Sequence, residues 1–166
     1  MHDSVLAWVP TQVDGLQPPV LEVGSYNVNG SVREYFPKPY TGVDMQEGPG
    51  VDKVADAHAL PFEDGSFETV VSTEMIEHDP AFWLSLAEMR RVLKPGGQMT
   101  IVVPNAAYPI AFRDPFNCRR FTEDTWQSLN RTGNYQSCGR AHGFRPWEVK
   151  QAATNAAGIM TVILEK

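Results

Sequence analysis

The 166-residue chain has no Gly-x-Gly-x-x-Gly fingerprint and no phosphate-binding P-loop. Both devices hold phosphates against backbone amides at a helix start. Without them nothing is built for two phosphates, which disfavours an NAD-type nucleotide-binding oxidoreductase. No apolar run approaches the length of a membrane span, so no membrane partner is expected. The start, Met1-His2-Asp3-Ser4, lacks the basic region and apolar stretch of a signal peptide. Cysteine is scarce. Cys118 and Cys138 alone, in a chain read as lacking an export signal, are expected to be free thiols in the cytoplasm.

Basic charge is also in short supply. The net charge is -6, and a broad nucleic-acid footprint is missing. The deficit is uneven: residues 1–104 carry 6 Lys/Arg against 15 Asp/Glu, whereas residues 105–150 carry 7 against 4. Either this is surface scatter, or an acidic cofactor half precedes a segment that meets an anionic substrate. The apolar fraction of 42% is ordinary for one compact domain.

What is present starts with Val20-Leu21-Glu22-Val23-Gly24. This short buried strand breaks into a polar turn that runs to Asn29-Gly30. Glycine has no Cβ and tolerates positive φ, so a ligand can approach the backbone there. Residues 1–19 read as a lead-in segment in which Trp8 and Val9 pack on the domain. A helix is expected over 31–35, then strands over 40–43, 51–55, 67–72 and 99–103. The clearest helix covers 80–93, with Phe82, Leu86, Met89 and Leu93 at helical spacing and Lys94-Pro95-Gly96-Gly97 as its stop. Strands alternating with helices imply a parallel sheet. Beyond residue 104 the pattern weakens. It gives a helix over 123–130 capped by Thr122, a strand over 135–138, a helix over 146–157 ended by Gly158, and a closing strand over 159–164.

Glu22, Asp44 and Asp56 stand at the ends of three successive expected strands. In an open α/β sheet that edge binds ligands, and a carboxylate there suits ribose hydroxyls. An edge rich in carboxylates repels pyrophosphate but suits a cofactor with an adenosine, an amino group and a sulfonium cation, such as S-adenosylmethionine.

Six segments in order carry a family resemblance: Leu21-Glu22-Val23-Gly24, Gly42-Val43-Asp44, Ala55-Asp56-Ala57-His58-Ala59-Leu60-Pro61-Phe62, Asp64-Gly65-Ser66-Phe67, Glu74-Met75-Ile76-Glu77-His78 and Arg91-Val92-Leu93-Lys94-Pro95-Gly96-Gly97. Through them the chain resembles class I S-adenosylmethionine-dependent methyltransferases, of the small type grouped with the ubiquinone and menaquinone biosynthesis enzymes. The resemblance implies an α/β, Rossmann-like, mostly parallel sheet with helices on both faces and a reduced N-terminal region. It implies a single domain over 1–166, with a cofactor core at 20–104 and a substrate-side lid and C-terminal elements at 105–166. Glu22 and Gly24 would line the methionine end of the cofactor, and Tyr26 and Asn29 join the cofactor-binding set from the loop. Asp44 would hold the ribose, Met45 would lie against the adenine, Asp56 would accept from the adenine amino group, and Ala57 would offer its amide. Thr73 and Glu74 would lie near the reacting methyl. Tyr26 and Val28 stand where the family has glycine, and Asn29-Gly30 supplies the turn instead.

Glu74, Glu77 and His78 stand at i, i+3 and i+4, which on a helix turn share a face. Two oxygens and an imidazole are the makings of a partial divalent-metal site. Some O-methyltransferases with a similar run, including small-RNA terminal methyltransferases and a ubiquinone-pathway enzyme, use it for a metal; the small-RNA enzymes also supply a further histidine downstream, and Arg113-Asp114-Pro115-Phe116-Asn117 has none, so no metal is assigned. His78 and Glu74 are instead the catalytic candidates. Methyl transfer asks mainly for alignment, with a base only where the acceptor must lose a proton. After the fifth strand, Phe112, Arg113, Phe116, Arg119, Arg120 and Phe121 interleave aromatics with arginines. This suits a planar or anionic small-molecule acceptor, or else a lid packed on the core. The competing reading is a degenerate cofactor-binding or interaction module without catalysis.

Overall fold

The computed structural model describes residues 5–6, 9–12, 15–130 and 145–166. Seven strands form one sheet: β1 (Val20–Val23), β2 (Tyr40–Asp44), β3 (Lys53–Val54), β4 (Phe67–Thr73), β5 (Leu93–Pro104), β6 (Glu148–Thr154) and β7 (Ile159–Glu165). Their order is β3-β2-β1-β4-β5-β7-β6. Strands β1 to β5 pair in parallel, and β7 runs antiparallel to both β5 and β6. The chain works outward from β1 to β3, then crosses back to β4. The switch point therefore lies between β1 and β4, where open α/β sheets bind ligands.

The central strands are apolar on both faces because both faces are covered. Leu21 and Val23 of β1, Val70 of β4, and Ile101 and Val103 of β5 enter one core. Val20, Val71 and Val102, from the same three strands, enter the other. The first core is closed by helix α1 (Phe82–Val92) and helix α2 (Glu123–Ser128). Leu86 and Met89 of α1 are fully buried, as their spacing predicts, and so is Val92; burial of each stabilises by roughly 1.5–3 kcal/mol. Thr122 caps α2 in a capping box with Thr125, and Glu123 and Asp124 fill its first turn. The second core is closed by Val5, Val9 and Leu16 of the lead-in segment and by Val32 and Phe36, which flank a 3-10 turn (Arg33–Tyr35). The helix expected over 31–35 is thus a single short turn.

The expected helix over 146–157 is instead the edge strand β6, and this corrects the sequence reading. Gly158 does not stop a helix. It takes φ 83° in the turn of a β6–β7 hairpin, where the Asn155 carboxamide accepts from the amides of Ala157 and Ile159. An edge strand is only half-buried, so its alternation is faint, and pairing with β7 overrides the helical bias of its alanines. The expected strand over 135–138, with Cys138, lies outside the described residues, as does Trp8. No described helix is long and apolar enough to cross a membrane.

Candidate functional site

The carboxyl ends of β1 to β3 and the segment after β4 border a cleft of about 210 Å³. Five residues expected to hold a cofactor meet there: Gly24, Asp44, Met45, Asp56 and Ala57. His78 lines the same cleft, over an apolar wall that includes Val23 and Val43.

Gly24 is fixed by two independent constraints. Its φ is 85°, and a Cβ would lie 2.6 Å from Met75 Cβ. Its amide donates to the Val43 carbonyl, which ties the β1 loop to β2. Asp44 accepts one amide on each oxygen, from Tyr26 at 3.2 Å and from Gln46 at 3.1 Å. Each oxygen keeps a lone pair for a ligand hydroxyl.

Tyr26 does not fill the cleft. Its ring lies on Gly48, where a Cβ would come within 2.1 Å of Tyr26 Cε2. Gly48-Pro49-Gly50 therefore accommodates the side chain that replaces the family glycine. Arg33 fastens the same corner. Its guanidinium donates to Asp52 Oδ2 at 2.7 Å and to the Gly50 and Tyr40 carbonyls. Asn29 and Val28 are exposed on the loop, and the Asn27 carboxamide accepts from the Gly30 amide to close the turn.

Glu22 sits below the cleft rather than in its lining. It is 2% exposed on the face toward the second core. Burial pushes its carboxyl up to about 7, against the pull of the Tyr40 hydroxyl and Arg33. Thr73 is buried at the end of β4, and its hydroxyl has no hydrogen-bond partner among the described residues. Glu74 follows in left-handed backbone, φ 50°, with its amide on the Val102 carbonyl. A non-glycine residue in that region is uncommon and strained.

The i, i+3, i+4 spacing of Glu74, Glu77 and His78 does not become a shared face. Glu74 is left-handed, and only Ile76–His78 form a 3-10 turn. Glu77 points into the protein, 3% exposed, while His78 is exposed at the cleft. Burial pushes the Glu77 carboxyl up to about 8, with Glu74 and Asp114 adding to the rise. Among the described residues, no three His, Cys, Asp or Glu side chains gather as a metal-holding group.

One wall of the cleft escaped the sequence reading. His58 Nε2 lies 3.1 Å from both carboxylate oxygens of buried Asp79. Asp79 also accepts from Ser85 Oγ at 2.5 Å and from the Ala81 amide at 2.7 Å. His58 in turn gives its amide to Asp56. The network joins the loop after β3 to the start of α1. Asp79-Pro80 directly before an apolar helix was its one local signal.

The cleft fits S-adenosylmethionine. The carboxylates of Asp44 and Asp56 line it beside Gly24, just past β1, and the lining is otherwise mostly apolar.

Residues 21–101 match a family model described as a methyltransferase domain. The chain is 39% identical over 111 residues to the phthiotriol/phenolphthiotriol dimycocerosates methyltransferase of Mycobacterium tuberculosis, covering 58% of this chain and 41% of that one. It is 33% identical over 106 residues to the fatty-acid O-methyltransferase of Mycolicibacterium smegmatis, covering 55% and 39%. The chain thus spans about two-fifths of the length of these curated relatives. Among solved structures, the 1,6-didemethyltoxoflavin-N1-methyltransferase of Burkholderia thailandensis superposes with a TM-score of 0.63 at 16% identity, over 99% of this chain and 77% of that one. The matched segment and the sheet order together give this chain the class I methyltransferase fold.

Proposed function

We propose that this chain binds S-adenosylmethionine in the cleft and transfers its methyl group to a small-molecule acceptor. The observation that carries the reading is the meeting of Gly24, Asp44, Met45, Asp56 and Ala57 at one cleft beside the switch point. Asp44 accepts from the ribose hydroxyls, Met45 covers the adenine, and Asp56 with the Ala57 amide reads its edge. Gly24 lets the methionine end approach the backbone. Glu22 acts from beneath as a buried carboxyl. Tyr26 and Asn29 border the loop. Thr73 offers a hydroxyl at the end of β4. When bound, the cofactor supplies a methyl already activated on a sulfonium, so alignment by the protein provides much of the rate. His78, exposed at the cleft, accepts a proton from an acceptor that must lose one, and Glu74, just past β4, is the second candidate for that role.

The acceptors named for the relatives are phthiotriol or phenolphthiotriol dimycocerosates, a fatty acid and, in the solved neighbour, 1,6-didemethyltoxoflavin. That neighbour also holds S-adenosylhomocysteine. An amphiphilic or planar acceptor suits the aromatic and arginine residues after β5. Residues 20–104 serve as the cofactor core and 105–166 as the substrate side of one domain. The exposed free thiol of Cys118 suits the reducing cytoplasm.

Titration calorimetry with S-adenosylmethionine, its demethylated product and NAD tests the reading. Binding of the first two and not of NAD is expected, with Asp44→Ala weakening both. No heat with any of the three leaves only an interaction module. Unchanged affinity in Asp44→Ala overturns the ribose assignment.

A further inference from the structure

Phe116 is 79% exposed and Phe112 is 58% exposed, and every residue from 112 to 116 is solvent-facing. Two large aromatics displayed this openly are unusual unless something covers them. They are not on a loose end. The Asp114 carboxylate accepts from the Phe116 amide at 2.8 Å, and the Asn117 carboxamide donates to the Ala111 carbonyl. The amides of Cys118 and Arg119 both donate to the carbonyl of Glu77, at 3.0 and 2.9 Å. The turn is therefore anchored to the segment that carries His78 into the cleft. Arg119 reaches the Pro80 carbonyl, and Pro80 itself lines the cleft.

The charge around the two phenylalanines is positive. Residues 105–121 hold Arg113, Arg119 and Arg120 against Asp114 alone. Arg113 and Arg120 are exposed, and the Arg120 guanidinium lies 4.6 Å from the Phe112 ring centroid. Apolar tips flanked by arginines match the boundary between acyl chains and anionic headgroups, where rings go under and guanidinium groups stay at the surface. The chain as a whole is acidic, but its distant carboxylates are screened beyond about 8 Å at physiological salt. The local positive charge decides the contact.

We propose that the Phe112–Phe116 turn is an interfacial anchor that docks the rim of the cleft on an anionic lipid surface. The acceptor is then an amphiphile taken from that surface. This second clause rests on the methyl-transfer reading, whereas the docking stands without it. That no described helix is long and apolar enough to cross a membrane does not bear on a peripheral contact, which needs only a turn that enters the headgroup layer.

The test is flotation of the protein with phosphatidylcholine vesicles, with and without phosphatidylglycerol, at low and physiological salt. Flotation is expected with phosphatidylglycerol and should weaken as salt rises. Phe116→Ser should lower partitioning about ten-fold, and Arg113→Gln about five-fold. Calorimetry on Phe112→Ser/Phe116→Ser should show unchanged affinity for S-adenosylmethionine, which shows that the variant is folded. If the wild type floats yet binds no S-adenosylmethionine, the docking survives and the methyl-transfer reading fails. Protein that stays unbound with phosphatidylglycerol vesicles, or that floats equally well as Phe116→Ser, overturns the docking. So does a concentration-dependent dimer in sedimentation velocity that Phe112→Ser/Phe116→Ser dissolves, because the turn would then face a second copy of the chain.

Discussion

Gly24 and Met75 are matched by shape: the Met75 side chain occupies the space in which any Cβ at position 24 would lie, 2.6 Å from Met75 Cβ. One residue follows β1 and the other follows β4, so this fit sets how closely the two loops approach across the switch point. The first prediction follows from it. Gly24→Ala should destabilise the protein by about 2 kcal/mol or more, from strain at φ 85° added to overpacking. Cofactor affinity should fall at least ten-fold in calorimetry. Adding Met75→Ala should restore part of the stability in urea melts, because it returns the space but not the φ. A double variant no better than Gly24→Ala would show that the two residues are not coupled through space.

Asp79 should matter more than its distance from any reacting atom suggests. It is 9% exposed and holds His58, Ser85 Oγ and the Ala81 amide at once. Asp79→Ala should cost about 2–3 kcal/mol in thermal unfolding, since it strands buried donors of a charged acceptor. Ser85→Ala removes one donor and should cost about 1 kcal/mol. Both should weaken S-adenosylmethionine binding in the same rank order. Equal effects from the two would argue against Asp79 as the hub.

Trp147 tests the correction at β6. It is fully buried, its amide donates to the Leu129 carbonyl, and the Arg90 guanidinium lies 5.2 Å from its ring centroid. Trp147→Ala should therefore cost roughly 3–5 kcal/mol in urea unfolding, as large buried aromatics do. Arg90→Ala, which removes the cation over the ring, should cost about 1 kcal/mol. A mild effect at Trp147 would suit a tryptophan on the outside of a helix and count against the strand.

Much of the cofactor edge was legible because it is written locally. Short apolar runs ending at Gly24 and Asp44 announce β1, β2 and their polar ends, and α1 shows its period in Leu86 and Met89. What stayed hidden depends on partners far along the chain. His58 and Asp79 are 21 residues apart and meet only in the fold. Tyr26 looks like a defect in the glycine loop until Gly48 is seen beneath its ring. The Glu74, Glu77 and His78 spacing misled because one left-handed residue, Glu74, breaks the helical geometry on which such spacing relies. The strand β6 was missed for an energetic reason: an edge strand of half-buried alanines draws its stability from β7, not from its own propensity.

Buried carboxyls set the pH dependence. Burial holds the Glu77 carboxyl protonated in the fold up to about 8, whereas the unfolded chain releases that proton near 4.5. The folded value is the higher one, so its contribution is fully present below pH 4.5 and is lost as pH rises through about 8. Glu22 acts in the same direction, with its loss complete near pH 7. Glu88 opposes them on the acid side, because Arg91 holds its carboxylate below the usual value and protonation breaks that pair. Stability should therefore peak on the acid side of neutral and decline toward alkaline pH. Glu77→Gln keeps the shape but cannot ionise, so it should flatten the alkaline decline, recovering about 5 kcal/mol at most. Thermal melts of both proteins from about pH 5 to about pH 9 check this. Parallel curves for the two proteins would mean that Glu77 does not titrate as a buried carboxyl.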